Sequence, residues 1–226
     1  MKMQKASDVI NAEQRARVES AVSTAESKTS CEIVPVVATS SGRYDRAEDL
    51  VGLWFAMVGA VIAFLMFPGH TDHGTWGGIP LWGQVGLLVL VMLVCFIVGA
   101  TLADRFRSLR LLFTLRSQMH EEVNLRAREL FFDRRIHHTA GASGLLIFVS
   151  LYERTAVVLG DRSVVEALGE KFPEELCQRL TTSLRTQDVA AAICDTIQHA
   201  ATSLQTTLPR TTNDVNELPD TLVMLD

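Results

Sequence analysis

Two apolar stretches, Val51 to Phe67 and Leu81 to Leu102, contain no Asp, Glu, Lys or Arg and constrain the fold more than any other feature of the chain. As helices rising ~1.5 Å per residue they reach roughly 26 Å and 33 Å, against ~30 Å of bilayer hydrocarbon. The first is at the short limit and is accommodated by including Leu50 or by local thinning of the bilayer. The pattern predicts a transmembrane helical hairpin over residues 49–103, so the lipid bilayer is the first expected partner.

Flanking charge orients such a hairpin. Arg43 and Arg46 precede the first span; Arg105, Arg107, Arg110 and Arg116 follow the second. The connecting loop, Pro68 to Pro80, has no Lys or Arg. Both termini are therefore expected on the cytoplasmic side. Trp54, Trp76 and Trp82 fall near the expected interfaces, where indole rings settle. Met1 to Ser20 lacks an apolar h-region, so no cleavable signal is expected and the first span serves as the targeting signal. Gly52, Ala56 and Ala60 form a small-residue stripe that suits close helix packing, either within the hairpin or in a homodimer. His70, Asp72 and His73 in the loop are a weak ligand set without fixed geometry.

Outside the hairpin the composition is that of an ordinary folded domain. The formal net charge of -5 argues against nucleic acid as a partner. The four cysteines, Cys31, Cys95, Cys177 and Cys194, have no CxxC spacing and read as buried free thiols.

Asn11 and Gln14 predict a capping box opening a helix from about Ala12 to Ser27, with Val18, Ala21, Val22 and Ala25 on its apolar stripe. Cys31 to Ala38 reads as a strand, and Pro35 places it at an edge or a bulge. A long helix is expected from about Asp104 to Asp133, burying Met119, Val123, Ala127 and Leu130. Leu145 to Leu151 and Thr155 to Leu159 read as a β-hairpin, covered on both faces. Ser163 with Glu166 predicts a second capping box, Pro173 suits a first turn, and Thr186 is the expected cap of the last helix. The order of elements implies an α/β fold, a three-layer α/β/α sandwich interrupted by the transmembrane hairpin. Residues 1–48 and 104–208 are expected to fold together as one discontinuous cytoplasmic domain. Residues 209–226 read as an acidic, mostly disordered tail.

Three segments carry a resemblance: "AESKTSCEIVPVV" (Ala25 to Val37), "TAGASGLLIFVSLYERTAVVLGD" (Thr139 to Asp161) and "NELPD" (Asn216 to Asp220). With the helix order, they resemble the TPM domain family, in particular its short bacterial members anchored by a two-helix membrane insertion. The resemblance implies an α/β/α sandwich in the bacterial inner membrane. It also implies one of two activities: an accessory or assembly role in a membrane complex, with a protein partner there, or a divalent-cation-dependent phosphatase using Ca²⁺ or Mg²⁺. The chain departs from the longer members where their Asp-Asn-Gly stands: Ala142, Ser143 and Gly144 occupy those positions. Asp8 does not match the spacing of their early Asp. The missing carboxylates argue against phosphoryl chemistry, which needs neutralising metal or a basic clamp, and favour the non-enzymatic role.

The remaining site candidates are Glu32, Glu153, Arg154 and Asp161. Glu32 is polar within an apolar strand. Asp161 lies between a strand and a helix, where ligands of α/β folds often bind. Together they are the weak candidates for a cation held by oxygen ligands. Glu153 and Arg154 fall in the hairpin turn. No GxSxG, GxGxxG or Walker A motif occurs. His137 and His138, beside Arg134 and Arg135, suggest a small basic patch.

Overall fold

The computed structural model describes residues 5–42, 45–66, 81–105, 116–139, 141–211 and 215–226. The loop ligands His70, Asp72 and His73, with Trp76, lie outside the described residues. The chain divides into two units, residues 43–118 and residues 2–42 with 119–226.

The first unit holds helices α3 (Asp45–Met66) and α4 (Leu81–Arg105). Both are long and apolar enough to cross a membrane, over Asp49–Met66 and Trp82–Ala103. They pack on each other, yet their outer apolar side chains stay uncovered: Phe64 is 72% exposed and Leu93 57%. Contiguous exposed apolar surface of this kind marks a contact with a membrane or with another protein. Close approach depends on glycine. A Cβ on Gly99 would come within 2.7 Å of Phe55 Cβ and 3.0 Å of Gly52 Cα. The stripe proposed for a homodimer is thus used inside the hairpin: Gly52 faces Phe96 and Ala56 is buried.

The second unit is a mixed α/β fold. In chain order it comprises α1 (Ala6–Val9), α2 (Ala12–Glu26), β1 (Glu32–Ala38), α5 (Arg116–Asp133), a 3-10 turn (Ile136–His138), β2 (Gly144–Ser150), β3 (Thr155–Gly160), α6 (Arg162–Leu168), α7 (Phe172–Ser183), α8 (Val189–Thr207) and β4 (Val223–Leu225). The four strands lie in the order β3-β2-β1-β4. β1 is parallel to β2 and to β4, and β2–β3 is antiparallel.

Every residue of β1 and β2 is buried, the pattern of strands covered on both faces. Ile33, Val37, Leu145 and Ile147 belong to one apolar cluster, with residues of α1, α2, α6, α7 and α8. Val34, Val36, Leu146 and Phe148 belong to a second, with Val123, Ala127, Leu130 and Phe131 of α5. Alternation along the strands sends successive side chains to opposite clusters. Pro35 fits without a bulge. Ile33, two residues earlier, points its N–H away from β2 to Glu26, and β4 begins only opposite Val36, so no ladder bond is lost at Pro35.

Asn11 and Gln14 form the predicted capping box of α2. The caps of two later helices differ from expectation. Asp161, not Ser163, caps α6; Ser163 Oγ donates to Gly141 O, and Glu166 pairs with Arg162. Asp188, not Thr186, caps α8, accepting from Ala191 N at 2.7 Å. In both cases an Asp competes within two residues and is the equal or better cap.

The tail corrects the expectation of disorder. Leu222 is buried in the first cluster, and Val223–Leu225 adds the fourth strand. Four consecutive apolar residues, Leu222 to Leu225, suffice because β1 already presents the backbone partners. Replacing Leu222 by Ala is expected to cost about 2–5 kcal/mol by opening a cavity in that cluster. Urea unfolding of the detergent-solubilised protein measures it.

Candidate functional site

Strand register sorts the sequence-predicted residues into two places. Glu32 pairs with Gly144, and Leu145 with Gly160, so Glu32 and Asp161 lie at one end of the sheet. Ala38 pairs with Ser150, and Ser150 with Thr155, so Glu153 and Arg154 lie at the other. The length of β1, ~20 Å at ~3.3 Å per residue, separates the two. The four residues do not form one site.

At the far end, Glu153 is a tie rather than a reactive group. Its Oε1 accepts from Ser41 N at 2.9 Å and its Oε2 from Ser150 Oγ. Ser41 Oγ donates to Ser150 Oγ at 2.9 Å. The carboxylate thus joins the exit of β1 to the end of β2. Arg154 is exposed and occupies the left-handed region at φ 52°, a turn position. At the same end Asp226 accepts from Ser7 N and Ser7 Oγ, and these bonds hold its carboxyl below the usual range.

At the near end Glu32 is buried, and its carboxylate holds the tail. Oε1 accepts from Glu217 N at 3.1 Å and Oε2 from Leu218 N at 3.3 Å. Asp161 Oδ1 accepts from Arg162 N at 2.7 Å, while its Oδ2 is buried without a hydrogen-bond partner.

Glu26, which the sequence reading passed over, is the centre of this end. It closes α2, is buried, and accepts from Ile33 N at 2.8 Å and from Asn216 Nδ2 at 3.4 Å. Burial, with the charges of Glu32 and Asp220, pushes its pKa up to about 9, against the pull of the Ile33 N–H. It therefore carries a proton at neutral pH. One sequence signal pointed to it: an acid in the last turn of a helix opposes the macrodipole, a placement that needs another reason. Cys31 beside it is held as a thiol, first by burial and then by the charges of Glu26, Glu32 and Asp161.

Glu26, Cys31, Glu32, Arg210, Asn216 and Asp220 line a cavity of about 190 Å³. Both oxygens of Glu32 already accept from backbone N–H groups, and burial keeps a proton on Glu26 when no metal ion is bound. Among the described residues no three His, Cys, Asp or Glu side chains are grouped to hold a metal ion. The arrangement does suit a protonated carboxyl shared with carboxylate neighbours, a buried lock on the tail.

The lock has a pH signature. The folded protein keeps the Glu26 proton between the ordinary pKa of 4.5 and about 9. Its contribution is complete below the lower value and is lost as pH rises through the upper one. Relative to Glu26→Gln, the wild type is expected to lose stability across that window, and thermal midpoints from pH 5 to 9.5 measure the difference. Cys31 is expected to resist iodoacetamide in the folded protein and to react only after denaturation, as read by mass spectrometry.

No family model matches the chain, and no curated protein matches it. The structure is similar to the NMR structure of BA42 protein from the psychrophilic bacterium Bizionia argentinensis, with a TM-score of 0.56. Sequence identity is 16%, and the match covers 98% of this chain and 99% of that chain. At that identity the likeness is one of fold.

Proposed function

We propose that this chain is a membrane protein of the TPM type whose α/β domain acts without catalysis, binding a protein partner as an accessory or assembly factor of a membrane complex. In this reading the domain is a three-layer α/β/α sandwich, the hairpin crosses a bacterial inner membrane, and both termini are cytoplasmic. The two clusters on opposite faces of the sheet support the layering. The arginines that flank the spans, against none in the connecting loop, support the orientation.

One observation carries the non-enzymatic reading. Two of the carboxylates nearest the strand ends are engaged at both oxygens by the protein itself, Glu32 by the amides of Glu217 and Leu218 and Glu153 by Ser41 and Ser150, and Asp161 is engaged at one, by the first amide of α6. A phosphatase needs such groups turned toward a metal or a phosphate.

Detergent-purified protein is expected to hydrolyse phosphoesters no faster than the Glu32→Gln/Asp161→Asn variant, with Ca²⁺, Mg²⁺ or chelator. Turnover that requires metal and vanishes in the variant would overturn the proposal. Crosslinking in native membranes, followed by affinity purification of the full chain, is expected to recover a stoichiometric protein partner absent from an unrelated two-span control.

A further inference from the structure

The corner where α5 ends is built differently from the rest of the domain surface. Phe132 is 60% exposed, and Leu125, two turns earlier on the same face, is 50% exposed. The His137 ring lies across Phe132 with centroids 4.8 Å apart, and His138 stands 6.2 Å beyond. Arg134 and Arg135 are exposed between them, and among the described residues neither has an ion-pair partner. Asp133 is the one acid of the turn; Glu129 nearby is paired with Arg126 at 3.0 Å. The corner therefore offers an apolar anchor amid uncompensated positive charge, on a chain whose net charge is -5.

The corner is also rigid. Ile136 is fully buried between the exposed residues and pins the turn to the second cluster. Arg135 holds the left-handed region at φ 55°, Arg135 N donates to Phe132 O at 3.0 Å, and His138 N donates to Arg135 O at 2.8 Å. The bare backbone of Gly144 makes room, since a Cβ there would come within 2.3 Å of Ile136 O. Exposed aromatic and arginine side chains on a fixed frame are the make-up of an interface centre: the rings bury area, the guanidinium forks pair with carboxylates, and little ordering entropy is lost.

We infer that this corner is the docking surface for an acidic segment of a protein partner, one carrying an apolar side chain to cover Phe132 and carboxylates to meet Arg134 and Arg135. The inference rests on the binding role proposed above and supplies its location and partner chemistry. A protein is favoured over an anionic bilayer by the make-up of the surface: an exposed ring held beside two unpaired guanidinium forks is the composition of a protein interface centre.

The test uses the full chain in nanodiscs of zwitterionic lipid. The probe is a fluorescein-labelled peptide of alternating acidic and leucine residues, read by anisotropy, beside the same peptide with Lys for each acid. Saturable binding of the acidic peptide alone is expected. It should weaken roughly tenfold or more in the Phe132→Ser/Arg134→Glu/Arg135→Asn variant, and stay unchanged in Lys171→Glu, an exposed position just before α7. Asn suits the left-handed backbone at position 135, and an unchanged thermal midpoint confirms the fold. Equal binding by the triple variant, or none by the wild type, overturns the inference. Slowed hydrogen exchange at 132–138 in phosphatidylglycerol nanodiscs, without peptide binding, overturns it in favour of lipid. If the triple variant still recovers the membrane partner, the binding role stands and this surface is wrong. If neither form recovers one, the binding role itself falls.

Discussion

A parallel pair of strands needs a crossover, and between β1 and β2 that crossover contains both apolar helices as well as α5. The domain can close only when two segments on either side of the hairpin meet in register, Glu32 against Gly144 through Ala38 against Ser150. Everything else in the second unit is organised by that pair. Its two faces receive the helices, its outer edge receives β3 on one side and the tail on the other, and its two ends hold the polar groups. A continuous apolar run in both strands makes the pairing selective, because each side chain has an apolar destination on one face or the other. Glu32 and Ser150 are the polar exceptions at opposite ends of the pair, and the first position of β1 lets the Glu32 carboxylate reach past the sheet to the tail.

Burying acids at that end has a cost that the protein meets by keeping a proton. Three carboxyl groups, Glu26, Glu32 and Asp220, line one small cavity. Arg210 lines the same cavity, yet the burial of Glu26 and the negative charges beside it still favour its protonated form. Burial holds Glu26 neutral, Glu32 finds two backbone donors, and Asn216 bridges toward both Glu26 and Asp220. The tail is thereby fastened at two points. The acid cluster holds residues 216–220, and the β1 ladder with Ser7 holds residues 223–226. Between them Leu222 enters the apolar cluster. A polar segment that reads as solvated in sequence becomes ordered because each of its anchors is supplied from elsewhere in the chain.

That dependence marks where the sequence is legible. The capping box of α2, the β2–β3 hairpin and the two long apolar helices depend on residues close in sequence, and each stands near its expected bounds. The tail depends on a β1 edge more than 180 residues away, and its three-residue strand is too short to show a period of its own. Site geometry fails for the same reason. Glu153 and Asp161 are close in sequence, yet β3 runs the length of the sheet between them, so proximity along the chain becomes separation in space. Glu26 was unread because an acid on a polar helix looks solvated. Only the docking of Ile33 and Asn216 against it reveals burial. The caps at Asp161 and Asp188 show a finer limit: neighbouring Asp, Ser and Thr residues are near-equal in intrinsic preference, and the backbone bonds of the flanking strand or turn decide.

The two ends of the sheet differ in what they leave for a partner. At the end beyond Ala38 the polar groups bond in two sets, Ser7 and Thr39 with Asp226, and Ser41 with Ser150 and Glu153. At the end beginning at Glu32, the acids and Arg210 line the cavity beneath the tail, and Arg134 and Arg135 are exposed on the turn after α5. The segregation has a physical consequence. The inward acids make no ion pair with Arg134 or Arg135 among the described residues, and Glu32 and Glu26 accept from amides of the tail and of β1 instead. Locking the tail with carboxylates and leaving the arginines unpaired are then two sides of one arrangement. An incoming acidic segment meets cations whose pairing capacity the fold has left unused.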